Sequence, residues 1–377
     1  MREDDTIREV SPEASSDSVI IDHAQDARVT PGAKTGEPTL RALLPRLVRG
    51  ENLLREEAAA LLNAMLGAAA SDAQIAAALV ALAIKGETVD ELTGMAEVMR
   101  ERVFRIKTRH SCFVDTAGTG SSRAKTFNVS TAAAFVISGA GLAVAKHGNR
   151  AAASRFGSAD VLSALGVNVS ATPAISQACL DHIGICFMFA PLYHGATARV
   201  ASVRRELGVP TTFNLLGPLT NPASAPRQVI GVWRQKFLEP VARTLARLGT
   251  ERAWVVHGAD GLDEVTLDGN TFIAEAFHGS VQTLELSPRD FGFAPASLDR
   301  LRAEDEKGSA RTILEVIKGT RQDEARSLVV ANAAAALFVG GKATELKEAV
   351  GLAEKSIDTG AALTKLQQLI EATNKDN

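Results

Sequence analysis

The sequence predicts an α/β protein: a small N-terminal all-helical domain followed by a larger α/β domain around a mostly parallel central sheet. Three observations carry this reading. Between about residues 40 and 105 apolar residues recur at three- and four-residue spacing, the period of half-buried helices. From Cys112 the pattern changes to short apolar runs alternating with helical stretches, as in strands joined by helices. With 46% hydrophobic and 23% charged residues in 377, the chain has the apolar content to bury a sizeable core.

Residues 1–36 carry four basic and eight acidic side chains, with scattered Ser, Pro and Gly and little apolar content. Such a segment cannot repay its ordering entropy, so a disordered acidic tail is expected there. The helical domain is expected over 37–110, in "TLRALLPRLVRG", "EEAAALLNAML", "SDAQIAAALVALAIKG" and "TVDELTGMAEVMRERV". Ser71 with Gln74 and Thr88 with Glu91 read as capping boxes, and Gly86 stops the helix between them. The α/β domain is expected over 111–377. "CFVD", "LAVAK", "GICFMFA", "QVIGVW" and "AWVVHG" read as buried strands, separated by the helices "NVSTAAAFVISGAG", "SADVLSALG", "GATARVASVRREL" and "KFLEPVARTLARLG". "FIAEAF" and "SVQTLELSP" suggest further strands, and helices such as "EARSLVVANAAAALFVGG" close the chain.

Composition narrows the function classes. A net charge of −3 and 17 aromatics (Phe 14, Trp 2, Tyr 1) advertise neither a phosphate-backbone footprint nor a base-stacking surface, so no nucleic-acid partner is expected. Cys112, Cys179 and Cys186 show no CxxC pairing and sit among apolar neighbours, which reads as buried thiols in a reducing compartment. The first residues contain no apolar signal core, and the longest apolar run, "IAAALVALAI", is too short to span a bilayer. No membrane partner and a cytoplasmic location are therefore expected.

Four stretches could carry chemistry. In "DTAGTGSSRAKTFNVST" a glycine turn at the start of a helix would aim backbone amides and the helix's positive end at an anion. It lacks the Walker A and dinucleotide-binding spacings, and a plain turn capped at Asn128 and Ser130 is the alternative. "KHGNR", Lys146 to Arg150, sets cationic and neutral donors around a glycine at the carboxyl end of a strand, against the alternative of a solvated turn. Asp263 and Glu264 adjoin in a loop; they are either solvated charge or a pair that holds Mg²⁺ against phosphate oxygens. Arg204 lies on a helix, as surface charge or as a fork for a carboxylate.

Taken together, "DTAGTG…KTFNVST", "VAKHGNR", "SRFGSADVLSALGV", "FMFAP", "VRRELGVPTTFNLLGPLTNP" and "GLDEV" stand in the order and at about the spacing seen in anthranilate phosphoribosyltransferases, which this chain resembles. "SDAQIAAALVALAIKGET" is similar to the helical domain of the same enzymes, and the likeness covers roughly residues 39–372. The resemblance implies the nucleoside phosphorylase and phosphoribosyltransferase fold class, with about 195–220 contributing to the helical domain. It implies transfer of the phosphoribosyl group from phosphoribosyl pyrophosphate (PRPP) to anthranilate, giving N-(5-phosphoribosyl)anthranilate and pyrophosphate, in tryptophan biosynthesis. Two Mg²⁺ ions per subunit and a homodimer are implied as well.

Carried onto this chain, the resemblance puts PRPP against Gly118, Ser121, Ser122, Thr126, Asn128, Val129, Ser130, Thr131, Lys146, His147, Gly148, Asn149, Ser154 and Ser158. Anthranilate would meet Gly118, Asn149 and Arg204, with His194 lining its access path; Ser130, Asp263 and Glu264 would hold the metal. No catalytic residue is nominated clearly, His147 being the nearest candidate for a general base. Three departures stand out: the family usually reads Gly-Thr-Gly-Gly-Asp-Gly where this chain has Gly118 to Arg123, serine where it has Ala153, and proline where it has Gly195. A pyrimidine nucleoside phosphorylase is disfavoured because no "KHSSGGVGD"-like stretch occurs. A nucleic-acid-binding paralogue is disfavoured because "KHGNR" and the acidic pair are present and the charge is negative.

Overall fold

Ser71 and Thr88 start two helices as their capping boxes require. Ser71 Oγ accepts from Gln74 N at 3.2 Å and Gln74 Oε1 from Ser71 N at 2.9 Å; the Thr88 and Glu91 pair repeats this at 3.2 and 2.8 Å. The computed structural model describes residues 40–122, 124, 126–150 and 156–375, so the expected tail over 1–36 lies outside the described residues. Four helices come first: α1 (Leu40–Val48), α2 (Arg55–Leu66), α3 (Asp72–Lys85) and α4 (Val89–Arg102). Glu91 is fully buried and also accepts from Leu53 N at 2.9 Å and Lys85 Nζ at 2.8 Å, so a local cap doubles as a tie across the bundle.

A seven-stranded sheet follows: β1 (Phe113–Gly118), β2 (Ala143–Gly148), β3 (Ile185–Phe189), β4 (Arg227–Gly231), β5 (Arg252–Gly258), β6 (Thr271–Phe277) and β7 (Ser280–Leu286). Its order is β3-β2-β1-β4-β5-β6-β7; the first five strands run parallel and β6 and β7 antiparallel. Strand order reverses at β1, with β2 on one side and β4 on the other. In open α/β sheets ligands bind outside the carboxyl ends of strands at such a switch point.

The connecting helices are α5 (Val129–Gly139), α6 (Ser158–Ala164), α7 (Pro173–Ile183), the single turn α8 (Ala190–Tyr193), α9 (Ala198–Leu207), α10 (Thr212–Leu219) and α11 (Leu238–Arg247). After the sheet come α12 (Glu306–Ile317), α13 (Glu324–Val339), α14 (Leu346–Asp358) and α15 (Ala361–Asn374). Alternation along the strands divides the interior: Val229, Trp254 and Val256 join α5 and α13 in one apolar cluster, while Ile230, Ala253 and Val255 join α1–α4, α9, α10 and α11 in the other. The helical bundle thus shares a core with one face of the sheet, and α9 and α10 pack on it from outside its own stretch of sequence.

Several expectations need correction. β1 runs on to Gly118, so the first glycine of the expected turn closes a strand. Cys112 is only half-buried, with Sγ against Gly340 O at 3.4 Å, whereas Cys179 and Cys186 are buried. Besides the single turn α8, three helices escape the sequence pattern. One is α7, although Thr172 caps it and Pro173 opens it; another is α12, capped by Asp305. The third is α10, whose Gly217 and Pro218 make "TFNLLGPL" look like a loop. Among the described residues no helix is long and apolar enough to cross a membrane.

Candidate active site

From Gly118 the chain turns away from the sheet and enters α5 at Val129, with Gly120 in the left-handed region at φ +70°. Thr119 is pinned first: its N and Oγ1 both donate to Gly231 O, at 2.9 and 3.1 Å. Gly120 N donates to Asp263 Oδ2 at 3.2 Å. Of the hydroxyls, Ser121 Oγ accepts from Asn214 Nδ2 at 3.0 Å, and Ser122 Oγ lies buried 2.6 Å from Gly261 O and 2.9 Å from Ala124 O. Thr126 Oγ1 donates to Phe127 O at 3.0 Å, and Asn128 bonds Ser309 through both its N and its Oδ1, at 2.9 and 3.1 Å. Ser122, Thr126 and Asn128 therefore turn their side chains to protein partners, and Asn128 gives its N–H to Ser309 as well, so an anion could meet Ser122 and Thr126 only through backbone. Val129 is buried, and buried Thr131 Oγ1 has no partner among the described residues.

The "KHGNR" stretch is mostly strand. Lys146 and His147 lie in β2 and are buried, which removes the solvated-turn alternative for both. Lys146 Nζ donates to Thr116 O and approaches Ser130 Oγ at 3.4 Å. Burial pushes its pKa down while Asp115 and Glu264 push it back up. Asp115, fully buried, accepts from His147 N at 3.2 Å and Asn221 Nδ2 at 2.7 Å; burial raises its pKa to about 6, against Lys146. Gly148 closes the strand with Ser158 Oγ, at the start of α6, packed over it, and Asn149 is exposed beyond. Ser154 lies outside the described residues.

Asp263 and Glu264 sit in the loop after β5, facing the turn between β1 and α5. Glu264 Oε1 accepts from Ser130 N at 3.2 Å, and burial together with neighbouring Asp263 raises its pKa. Gly231 makes this placement possible, because a Cβ there would stand 1.6 Å from Asp263 O. Among the described residues no three His, Cys, Asp or Glu gather into a metal cluster. Two carboxylates and the Ser130 hydroxyl nevertheless make an all-oxygen donor set that suits Mg²⁺, whose octahedron normally includes substrate phosphate oxygens and waters. A divalent cation there would also counter the repulsion that raises Glu264.

Beside this polar rim opens a cavity of about 250 Å³ lined by Gly118, His147, Asn149, His194, Arg204 and Phe213, among others. The rings of His147 and His194 lie 5.1 Å apart between centroids, tilted by 45° to each other. Burial lowers their pKa values to about 3 and about 4, so both are neutral at pH 7, and each leaves a buried Nε2 without a partner among the described residues. His194 lines the cavity and is buried. Arg204 is half-buried: Nε donates to Thr211 Oγ1 at 3.1 Å, Nη2 donates to Asn214 Oδ1 at 3.2 Å, and the guanidinium lies 5.3 Å from the Phe213 ring centroid. Remaining N–H groups on a partly desolvated guanidinium are what a carboxylate needs.

The fold therefore gathers Gly118, Ser130, Lys146, Asp263 and Glu264 on one side and His147, Asn149, His194 and Arg204 on the other, all at the carboxyl ends of parallel strands or on the helices above them. Sequence reasoning missed Gly231 and Asn214. A glycine inside "QVIGVW" is a visible sign of close backbone approach. Asn214, in a stretch that reads as a loop, carries no local sign.

The glycosyl transferase family model matches here in two parts, the helical bundle domain over residues 41–103 and the a/b domain over 110–363. An anthranilate phosphoribosyltransferase from Moorella thermoacetica is 49% identical over 331 residues, 88% of this chain and 97% of that protein. Among solved structures, the anthranilate phosphoribosyltransferase of Thermus thermophilus superposes with a TM-score of 0.81 at 38% identity, covering 88% of this chain and 98% of that one. The Saccharomyces cerevisiae enzyme, in complex with PRPP and Mg, gives 0.80 at 25% identity, over 90% and 99%. With its cradle, acidic pair and apolar cavity set on this sheet, the chain belongs to the anthranilate phosphoribosyltransferase family of glycosyl transferases.

Proposed function

We propose that this chain transfers the phosphoribosyl group of PRPP to the amine of anthranilate, giving N-(5-phosphoribosyl)anthranilate and pyrophosphate, as a cytoplasmic homodimer in tryptophan biosynthesis. The observation that carries the reading is the juxtaposition of an amide-lined loop and acidic pair with an apolar cavity that ends on Arg204. Residues 37–110 with about 195–220 form the helical domain, 111–377 the α/β domain, and the two substrates meet between them.

In the reaction the amine nitrogen bonds to the anomeric carbon while the carbon–oxygen bond to pyrophosphate breaks and its electron pair leaves with the pyrophosphate. Positive character grows on the ribose and negative charge on the leaving group, so the protein has to hold charge and align the amine. Gly118 to Ser122 with Thr126, the α5 start from Asn128 to Thr131, and Lys146 with His147, Gly148, Asn149, Ser154 and Ser158 hold the phosphoribosyl pyrophosphate. Ser130, Asp263 and Glu264 would hold the Mg²⁺, two ions per subunit. When bound, Mg²⁺ neutralises charge developing on the leaving pyrophosphate. Arg204 and Asn149 fix the acceptor carboxylate, which leaves the amine near the histidine pair. His147, with a pKa of about 3, is a poor general base at neutral pH and serves as an orienting acceptor for an amine N–H.

Incubating the protein with Mg²⁺, PRPP and anthranilate and following anthranilate fluorescence tests this. The expected result is a loss of fluorescence that requires all three components. Persistent fluorescence at saturating concentrations would overturn it.

A further inference from the structure

Asn214 uses its whole amide. Oδ1 accepts from Thr211 N at 3.0 Å and from Arg204 Nη2 at 3.2 Å, while Nδ2 donates to Thr119 O at 3.2 Å and to Ser121 Oγ at 3.0 Å. The orientation is not interchangeable: Thr119 O can only accept, and the Thr211 amide and the guanidinium can only donate. One side chain thus joins the cation facing the cavity to the loop whose Gly120 amide donates to Asp263. Ser121 gives the loop a side-chain attachment that a glycine could not.

We propose that Asn214 is the positioning residue that couples the acceptor subsite to the phosphate loop, a role that rests on reading Arg204 as the acceptor's carboxylate anchor. An anion that fixes the loop fixes Thr119 and Ser121, and through Asn214 it fixes the plane of Arg204. The acceptor then meets a guanidinium already ordered. Because such coupling is reciprocal, the acceptor tightens the loop's anion by the same factor.

Equilibrium titration of anthranilate by its fluorescence, with and without saturating magnesium pyrophosphate, reads the coupling directly, since these two ligands cannot react with each other. The wild-type protein is expected to bind anthranilate about fivefold or more tightly with pyrophosphate present, the lower end of ordinary site-to-site coupling. Asn214→Ala should bring the ratio to one. Ser121→Ala should lower it partway, because the Thr119 link survives. Asn214→Asp keeps an acceptor toward Thr211 N and Arg204 but sets an oxygen against Thr119 O, so it should also abolish the ratio while the α10 cap, seen by circular dichroism, persists. A wild-type ratio of one, or a wild-type ratio in Asn214→Asp, overturns the proposal. Arg204→Ala separates the two readings. Unchanged anthranilate affinity there refutes the acceptor assignment itself; weakened affinity there, with coupling intact in the Asn214 variants, refutes the coupling alone.

Discussion

Replacing Gly231 by alanine tests how the acidic pair is held. The added methyl would lie 1.6 Å from Asp263 O and 2.5 Å from Asp263 C, both backbone atoms that no rotamer change can remove. Real Cβ contacts essentially never fall below 3.0 Å, so the Asp263 peptide must retreat by more than an ångström. That shift breaks the 3.2 Å contact of Asp263 Oδ2 with Gly120 N and the 3.2 Å contact of Glu264 Oε1 with Ser130 N. Misplacement of about 1 Å at a positioned group typically costs roughly 10²-fold in rate. Gly231→Ala should therefore lose about two orders of magnitude in kcat/KM and need more Mg²⁺ for half-maximal rate; it should also lower stability, since Leu262 and Val265 on either side of the acidic pair belong to the core, while far-UV circular dichroism keeps the wild-type helix and strand content. Initial rates against Mg²⁺ at saturating substrates measure this. Wild-type turnover with a wild-type Mg²⁺ requirement would refute the claim that the Asp263 backbone must rest on Gly231.

Four further outcomes follow from the same geometry. Gly120→Val should eliminate PRPP binding in calorimetric titration, because a β-branched residue resists φ +70°, while Gly120→Ala, with open space around it, should cost only about 1–2 kcal/mol. Arg204→Ala should raise KM for anthranilate by roughly 10- to 150-fold, matching about 1.5–3 kcal/mol for a charge-assisted contact, and barely move KM for PRPP; equal changes would make it a packing residue. Ser122→Ala should weaken PRPP binding by at most about 1.5 kcal/mol, through loop position alone. Ser122→Asp should do more harm, since its carboxylate replaces a donor facing Gly261 O and Ala124 O; wild-type PRPP affinity in Ser122→Asp would contradict the buried contact. The fourth concerns acid. His194 has a folded pKa of about 4 against 6.5 unfolded, so the unfolded chain binds the extra proton and His194's contribution, present above pH 6.5, is lost as pH falls toward about 4. The stability advantage of wild type over His194→Gln should shrink by up to about 1.4 kcal/mol per pH unit in that window, read by urea unfolding. Asp115 and Glu264, whose raised values act in the opposite sense, are common to both proteins and cancel in the difference. Parallel stability curves would show that His194 titrates freely.

By itself the sequence determined what depends on neighbours along the chain. The capping boxes at Ser71 and Thr88 form because partner and cap are three residues apart, and the apolar strand runs form because burial on both faces favours them. The order of motifs carried the family, and strand ends placed the glycine loop, "KHGNR" and the acidic pair at one rim. Only the tertiary structure decided which atoms face one another there. Ser122 could not be known to turn toward Gly261, nor Asn128 toward Ser309, because those partners lie 139 and 181 residues away. The neutrality of His147 and His194 comes from burial in a cavity built by several elements, a desolvation that no local pattern encodes. Asn214 is the sharpest case: its four bonds run to Thr211 and Arg204 nearby and to Thr119 and Ser121 more than ninety residues back, so its place between the two subsites exists only once β1 and α10 are packed together.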